Sequence, residues 1–440
     1  MKEQSNHHDI VSSLCPVCLR TISGIVRETS DGVVLEKACP LHGTFRAIIS
    51  SDLETYERMR GTGRKVTSPA RYGAEVRLGC PDDCGLCSQH DQHTCLAILD
   101  ITSRCDLECP VCLASSRHQG HDLDITTVER ALQCLIRSEG HPTPLQLSGG
   151  EPTLHRDLEG VIQSAVALGF DRIEIDTNGL ALGRDPFLAE RLRDAGLSQV
   201  YLQMDGLDAR VFEFIRGRDL LEEKLRAVEN CRRAGVQVSL AVTVVPRVND
   251  DCLWEMVRFA MDQGLTGVNF QAVALSGRFP KSVLLNQERL TLGHFLHKIE
   301  EQSGGRLLAS DLLPLHSDPR CGALAYALIR DGELVPMTRI ADRAALVDCV
   351  ADISDWETVV EKVGWESPGE CCCSACCSTA PIGADSAFLD AEPFSIGYHG
   401  MMDAYTIDLE RARRCCVHAL TPEGKLIPFC LHNIKYRQVT

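Results

Sequence analysis

The chain has 440 residues, 44% of them hydrophobic, with a formal net charge of −16 and 23 cysteines. That length allows about two to three domains with a real core, the acidic balance excludes a general nucleic-acid role, and no apolar run reaches the roughly 18 residues of a membrane-spanning helix. The first residues, Met1 to His8, are polar and lack a signal-peptide core, so the expected localisation is cytoplasmic. Thiols stay reduced there, and so many cysteines, grouped as they are, point to metal ligation.

The N-terminal module and its linker are placed at residues 1–75. Cys15-Pro16-Val17-Cys18 and Cys39-Pro40-Leu41-His42 form two knuckles with a hairpin expected between them. This spacing reads as a zinc ribbon or a rubredoxin-like site holding one iron. His42 as fourth ligand favours zinc; otherwise the fourth ligand comes from elsewhere. Residues 51–75 read as a helix and connector. An auxiliary segment follows at 76–95. There Cys80, Cys84 and Cys87 have C-x3-C-x2-C spacing, followed by His90, His93 and Cys95. It suits a [4Fe–4S] cluster, with Cys95 as candidate fourth ligand.

Residues 96–300 alternate strand and helix signals. Apolar, β-rich runs lie at 96–101, 145–148, 172–176, 199–204, 236–245 and 267–273. Amphipathic helices are expected at 157–168 and 250–264, with Gly169, Gly196, Gly235 and Gly264 where helices should stop. The pattern predicts an α/β fold, a partial (β/α)6 barrel with right-handed crossovers. Sites in such barrels lie at the carboxyl ends of strands. Directly after the first run come Cys105, Cys109 and Cys112, again C-x3-C-x2-C, and Ser148-Gly149-Gly150-Glu151-Pro152-Thr153 follows the second. Three such thiolates hold three corners of a [4Fe–4S] cube and leave one iron open to a small molecule, here the amino and carboxylate groups of S-adenosylmethionine. Gly149 and Gly150 permit close backbone approach, Glu151 can accept from the ammonium, and Pro152 fixes the turn. Asn178 and Asp205 end the third and fourth strands, where they either contact the nucleoside or substrate or serve as caps and turn residues. His118, His141 and His155 read as surface residues. The cofactors would supply hydrogen-atom abstraction through a 5′-deoxyadenosyl radical, and the protein would supply position and exclusion of water.

Residues 301–440 form a C-terminal cysteine-rich region for auxiliary clusters or substrate. Cys321 precedes two short strands, at 325–330 and 333–337. Cys371 to Cys377 packs five thiols into seven residues, and Cys415, Cys416 and Cys430 follow. The five-thiol run suits a soft metal or metalloid, a redox-active dithiol, or part of a further cluster.

With these motifs in hand, the chain resembles the radical SAM superfamily, and within it the tetraether lipid synthase and dihydropterin methyltransferase-like proteins. The resemblance rests on the two N-terminal knuckles, the segment from Cys80 to Leu96, Leu147 to Thr153, Tyr201 to Gly206, and Cys416 to Cys430. It implies alkyl or methyl transfer, or carbon–carbon coupling, at an unactivated C–H of a lipid- or pterin-like substrate. By position, Cys105, Cys109 and Cys112 match the SAM-cluster ligands, and Cys80, Cys84 and Cys87 those of an auxiliary cluster. Cys321, Cys416 and Cys430 match ligands of a third. A one-electron donor such as a flavodoxin or ferredoxin is the expected partner. The Cys371–Cys377 run departs from the family pattern. It keeps open a radical SAM enzyme acting on a thiophilic molecule such as an arsenical. A non-enzymatic iron–sulfur carrier or metal sensor is the rival of another class, but a carrier has no use for the Gly149–Pro152 cradle.

Overall fold

The computed structural model describes residues 9–61, 66–280, 289–315, 317–351, 358–359, 362 and 391–437. The Cys371–Cys377 run lies outside the described residues. The N-terminal module is a four-stranded antiparallel meander of β1 (Asp9–Leu14), β2 (Thr21–Thr29), β3 (Gly32–Cys39) and β4 (Gly43–Ser50). One face is apolar: Val11, Val26, Val33 and Leu35 pack with Tyr56 of α1 (Leu53–Gly61).

The main body begins at β5 (Leu96–Thr102) and alternates strands with helices. In chain order these are α2 (Ile125–Glu139), β6 (Leu145–Gly149), α3 (Leu158–Ala167), β7 (Ile173–Thr177), α4 (Leu180–Arg184), α5 (Leu188–Ala195), β8 (Gln199–Gln203), α6 (Ala209–Arg216), α7 (Leu221–Arg233), β9 (Gln237–Val244), α8 (Leu253–Asp262) and β10 (Gly267–Ala272). Neighbouring strands from β5 to β10 are all parallel. Helix ends follow local chemistry: the Asp124 and Asp157 carboxylates cap α2 and α3, and Gly140 and Gly196 end α2 and α5 in the left-handed region.

The C-terminal region enlarges the barrel sheet. After α9 (Leu292–Ser303) come β11 (Leu313–Pro314), β12 (Gly322–Arg330), β13 (Glu333–Pro336), β14 (Glu392–His399), β15 (Val417–Leu420) and β16 (Leu426–Pro428). β14 adds in parallel to β10, and β15 adds in parallel to β5 at the opposite edge. The sheet therefore runs β11-β12-β14-β10-β9-β8-β7-β6-β5-β15-β16, wider than the expected six strands. The reason is apolar burial. Phe394, Ile396 and Tyr398 of β14 are at most 1% exposed, and each such side chain contributes about 1.5–3 kcal/mol when taken from water.

Within the barrel the strands alternate sharply. Leu99, Leu145, Leu147, Ile173, Ile175, Val200, Leu202, Val268 and Phe270 are buried in the apolar core. The intervening positions carry Asp100, Gln146, Ser148, Glu174, Asp176, Tyr201, Asn269 and Gln271 on the other face, the lumen. Register sets them in rows: Asp100 pairs with Ser148, Asp176 with Tyr201, and Tyr201 with Ser239.

Candidate functional site

The loop carrying Cys105, Cys109 and Cys112 leaves the carboxyl end of β5, beside the Gly149–Pro152 turn after β6. The two loops touch through backbone. A Cβ on Gly150 would lie 2.1 Å from the Arg104 carbonyl, so only glycine admits the approach that lets Glu151 N donate to Arg104 O at 2.8 Å. Arg278 holds the far side of the thiol loop. Its Nε donates to Cys109 O at 2.6 Å, and its backbone exchanges two hydrogen bonds with Cys112, each 2.8 Å.

Burial pushes the Cys105 thiol up to about 12. Burial also raises Cys109, against the charge of Arg216, which lowers it. Arg216 grips Asp205 with both ends of its fork, Nε to Oδ2 at 2.7 Å and Nη2 to Oδ1 at 2.9 Å, and reaches Thr243 Oγ1 at 3.0 Å. Thr243 N donates to Asp205 Oδ1 at 3.0 Å. The Asp205 carboxylate is thus paired with Arg216, whose charge acts on the Cys109 thiol, and through that pair it supports the thiol loop.

Glu151 is 1% exposed. Its Oε1 accepts from Thr153 N, Thr153 Oγ1 and Thr177 Oγ1 at 3.0, 2.5 and 2.6 Å, and its Oε2 accepts from Asn178 N at 2.7 Å. Burial raises this carboxyl against those hydrogen bonds. Oε2 keeps a lone pair for an ammonium. Asn178 is both capping residue and link: its Oδ1 accepts from Leu180 N at 2.9 Å and its Nδ2 donates to Asp106 Oδ1, inside the thiol loop, at 2.8 Å.

Lys224, Arg216, Arg278 and Arg437 were not singled out from sequence. Lys224 is fully enclosed, and its ammonium reaches Gln203 O and Gln203 Oε1 at 2.7 Å each and Asn178 O. Burial, then the charge of Arg216, brings it down to about 7. Arg437 follows the helical turn His432–Tyr436, and its Nη2 pairs with Asp100 Oδ2 at 2.9 Å. His155 corrects another expectation. It is 8% exposed, with Nε2 2.8 Å from Leu123 O, whereas His118 and His141 are exposed.

The auxiliary cysteines gather behind β5. Cys80, Cys84 and Cys87 line one pocket with His90, Arg413 and Leu431. Arg413 lies beside the Cys80 thiol, and three thiols next to one cation suit a cube of net negative charge. Burial raises Cys80 and Cys84. Cys95 does not join them: its Sγ lies 2.6 Å from Cys416 Sγ across the β5–β15 pairing. Cys321 and Cys430 instead neighbour Cys415, whose thiol feels both. Arg411 Nη2 donates to Cys321 Sγ at 3.2 Å and Met402 N to Cys430 Sγ at 3.3 Å. The adjacent cysteines Cys415 and Cys416 face different partners because successive residues at a strand entrance point to opposite sides.

In the N-terminal module the ligand atoms of Cys15, Cys18, Cys39 and His42 all lie within 4.8 Å of one another. His42 Nδ1 is 3.5 Å from Cys15 Sγ and 3.4 Å from Cys39 Sγ. Burial raises the Cys15 thiol, but backbone hydrogen bonds from Cys18 and Val17 outweigh it and hold it at about 6. Three thiols and an imidazole this close make a closed tetrahedral set suited to zinc.

Comparison with known proteins agrees with this geometry. Residues 99–260 match the model of the Radical SAM superfamily, and residues 7–51 match the HMPTM N-terminal zinc ribbon domain. The chain is 32% identical to 7,8-dihydro-6-hydroxymethylpterin dimethyltransferase of Methanocaldococcus jannaschii, over 97% of this chain and 93% of that protein. It is 30% identical to a probable GTP 3′,8-cyclase of Pyrococcus abyssi, over 37% of this chain and 51% of that one. The solved structure of the FeFe-hydrogenase maturase HydG from Carboxydothermus hydrogenoformans aligns with a TM-score of 0.39 and 17% identity, over 48% of this chain and 52% of that one.

Proposed function

Since the chain belongs to the radical SAM superfamily, and within it to the family of 7,8-dihydro-6-hydroxymethylpterin dimethyltransferase, we propose that it replaces a hydrogen at an unactivated C–H carbon of a pterin-like heterocycle with a methyl group given up by the sulfonium of a second S-adenosylmethionine, two electrons from an external donor completing each transfer. The observation that carries this reading is the near full-length match to the pterin enzyme. A [4Fe–4S] cluster with S-adenosylmethionine supplies, when bound, the one-electron chemistry that ends in hydrogen-atom abstraction. Cys105, Cys109 and Cys112 would hold that cluster, the Gly149–Pro152 turn with Glu151 would seat the methionine end, and Asn178 would orient the thiol loop through Asp106. Arg216 and Arg278 keep the loop's backbone fixed. Cys80, Cys84 and Cys87 would ligate an auxiliary cluster, and Cys321, Cys415 and Cys430 are the set best placed for a third. Cys15, Cys18, Cys39 and His42 would bind zinc and add folding energy. Among the described residues no helix is long and apolar enough to cross a membrane.

The test is anaerobic reconstitution with iron, sulfide and zinc. S-adenosylmethionine, a one-electron reductant and 7,8-dihydro-6-hydroxymethylpterin are then added. Formation of 5′-deoxyadenosine together with a methylated pterin, seen by mass spectrometry, supports the reading. Deoxyadenosine without a methylated pterin keeps the class and removes the substrate.

A further inference from the structure

The barrel lumen is more polar than a parallel barrel needs. Such interiors are usually filled by layers of branched apolar side chains. Here Asp100 on β5, Gln146 and Ser148 on β6, Glu174 and Asp176 on β7, Tyr201 on β8, and Asn269 and Gln271 on β10 share the inner face. Part of this set is satisfied internally. Gln146 Nε2 donates to Glu174 Oε1 at 2.7 Å, and Gln271 Nε2 donates to Tyr201 Oη at 2.8 Å.

The rest is not. Asp100 Oδ1, Asn269 Oδ1, His432 Nδ1, Asn433 Oδ1 and Arg437 Nε are buried without a hydrogen-bond partner. Four of the five belong to one neighbourhood: Arg437 pairs with Asp100, His432 feels both, Asp100 and Arg437 both act on Asp176, and Tyr201, which feels Asp176, is hydrogen-bonded by Asn269. Each buried polar atom left unpaired costs about 1–3 kcal/mol, and a cluster of them around one space is the imprint of a polar guest. Asp176 stands at its centre. Its hydrogen bond among the described residues is from Ser148 Oγ at 3.3 Å, which leaves most of its four acceptor positions open. Burial brings it up to about 6, so it is ionised at neutral pH. A carboxylate with two open oxygens accepts two adjacent N–H groups side by side. An alkyl chain would leave every group in this space unpaired.

We propose that Asp176 is the specificity residue of the substrate site in this lumen, accepting the amino and ring N–H groups of a 2-amino-4-oxopyrimidine ring. Asn269 Oδ1 is a further acceptor and Arg437 Nε a donor for the same planar ligand. The inference rests on the pterin-like reading of the substrate and assigns the groups that read it. A site built to hydrogen-bond an N–H group rejects analogues lacking it far more strongly than an apolar pocket rejects a missing methyl group.

The experiment is equilibrium binding to the reconstituted full-length protein, under anaerobic conditions, followed by ligand fluorescence. The probes are 6-hydroxymethylpterin and 6-hydroxymethyllumazine, which carries a 2-oxo group where the pterin has its 2-amino group. The wild-type protein should bind the pterin at least about tenfold more tightly, a difference of about 1.4 kcal/mol. Asp176→Asn should weaken pterin binding by a similar factor and erase the preference, a change in ratio that a merely structural role would not produce. Equal wild-type affinities overturn the proposal, as does a preference that survives Asp176→Asn. In both cases formation of methylated pterin still stands as a separate measurement of the proposed function. If the variant loses its iron and fold, the wild-type ratio decides alone. Failure of the pterin to bind the wild-type protein overturns the assignment.

Discussion

The Asp205–Arg216 pair makes a quantitative claim. Its side chains are 0% and 10% exposed, and the pairing is bidentate. Asp205→Ala strands a guanidinium in the interior, and Arg216→Met strands a carboxylate; either should cost about 3–5 kcal/mol. In a barrel of roughly 200 residues, 1 kcal/mol shifts Tm by about 2–4 °C, so each single variant should melt roughly 6–20 °C lower. The double variant removes both charges together. It escapes the stranded-charge penalty and should melt above the sum of the single effects, with a coupling of about 1–3 kcal/mol. Arg216 also touches Val111 O at 3.4 Å and the Cys109 thiol, so Arg216→Met should surrender iron from the thiol loop to a chelator faster than wild type. Anaerobic thermal unfolding followed by far-ultraviolet circular dichroism measures the melting points. Single variants within about 2 °C of wild type, or strictly additive effects in the double variant, would refute the reasoning.

The triple variant Cys105→Ala, Cys109→Ala, Cys112→Ala should lose about four iron atoms per chain and all reductive cleavage of S-adenosylmethionine while keeping auxiliary iron; continued deoxyadenosine formation would contradict it. Replacing Cys80, Cys84 and Cys87 by Ala should lower iron content while part of the cleavage survives, so disappearance of the S-adenosylmethionine-induced change in the electron paramagnetic resonance signal of a folded variant argues against a separate cluster. Cys18→Ser with Cys39→Ser should remove about one equivalent of zinc from the full chain and lower its Tm, since closed zinc sites contribute folding energy; unchanged metal content speaks against the site. Burial raises Glu174 from its ordinary 4.5 to about 7, so between those pH values the folded state holds a proton that the unfolded chain has released, and stability falls as pH rises through that window. Glu174→Gln should flatten this slope and raise stability at pH about 8 by up to roughly 3 kcal/mol, measured by urea unfolding at pH about 5 and about 8; an unchanged slope would exclude it.

Much of the fold was legible because the signals were local. A strand such as Leu145–Gly149 or Ile173–Thr177 followed by an amphipathic helix and a glycine is readable from periodicity alone. The knuckles at Cys15 and Cys39 were legible for the same reason, since ligand spacing on a hairpin is a local property. β14 and β15 were not, because their placement beside β10 and β5 is set by which sheet edges lie open after the barrel is built. Residue order cannot show that. The pairing of Cys95 with Cys416, and the company Cys415 keeps with Cys321 and Cys430, depend on the same long-range choice.

One signal stood in the sequence unused. Leu145-Gln146-Leu147-Ser148, Ile173-Glu174-Ile175-Asp176, Val200-Tyr201-Leu202-Gln203 and Val268-Asn269-Phe270-Gln271 alternate strictly. A parallel strand buried on both faces should read as a continuous apolar run. Strict alternation in four strands of one barrel therefore implies an inner face meant for something other than packing. Arg437 could not be read this way, because nothing local links it to Asp100 of the first barrel strand. Its ion pair at 2.9 Å joins the residues after β16 to Asp100 of β5, the strand with which β15 pairs. The polar interior thus takes one of its charges from the C-terminal segment, so the proposed recognition by Asp176 predicts that removing Arg437 changes pterin binding although Arg437 lies outside the barrel.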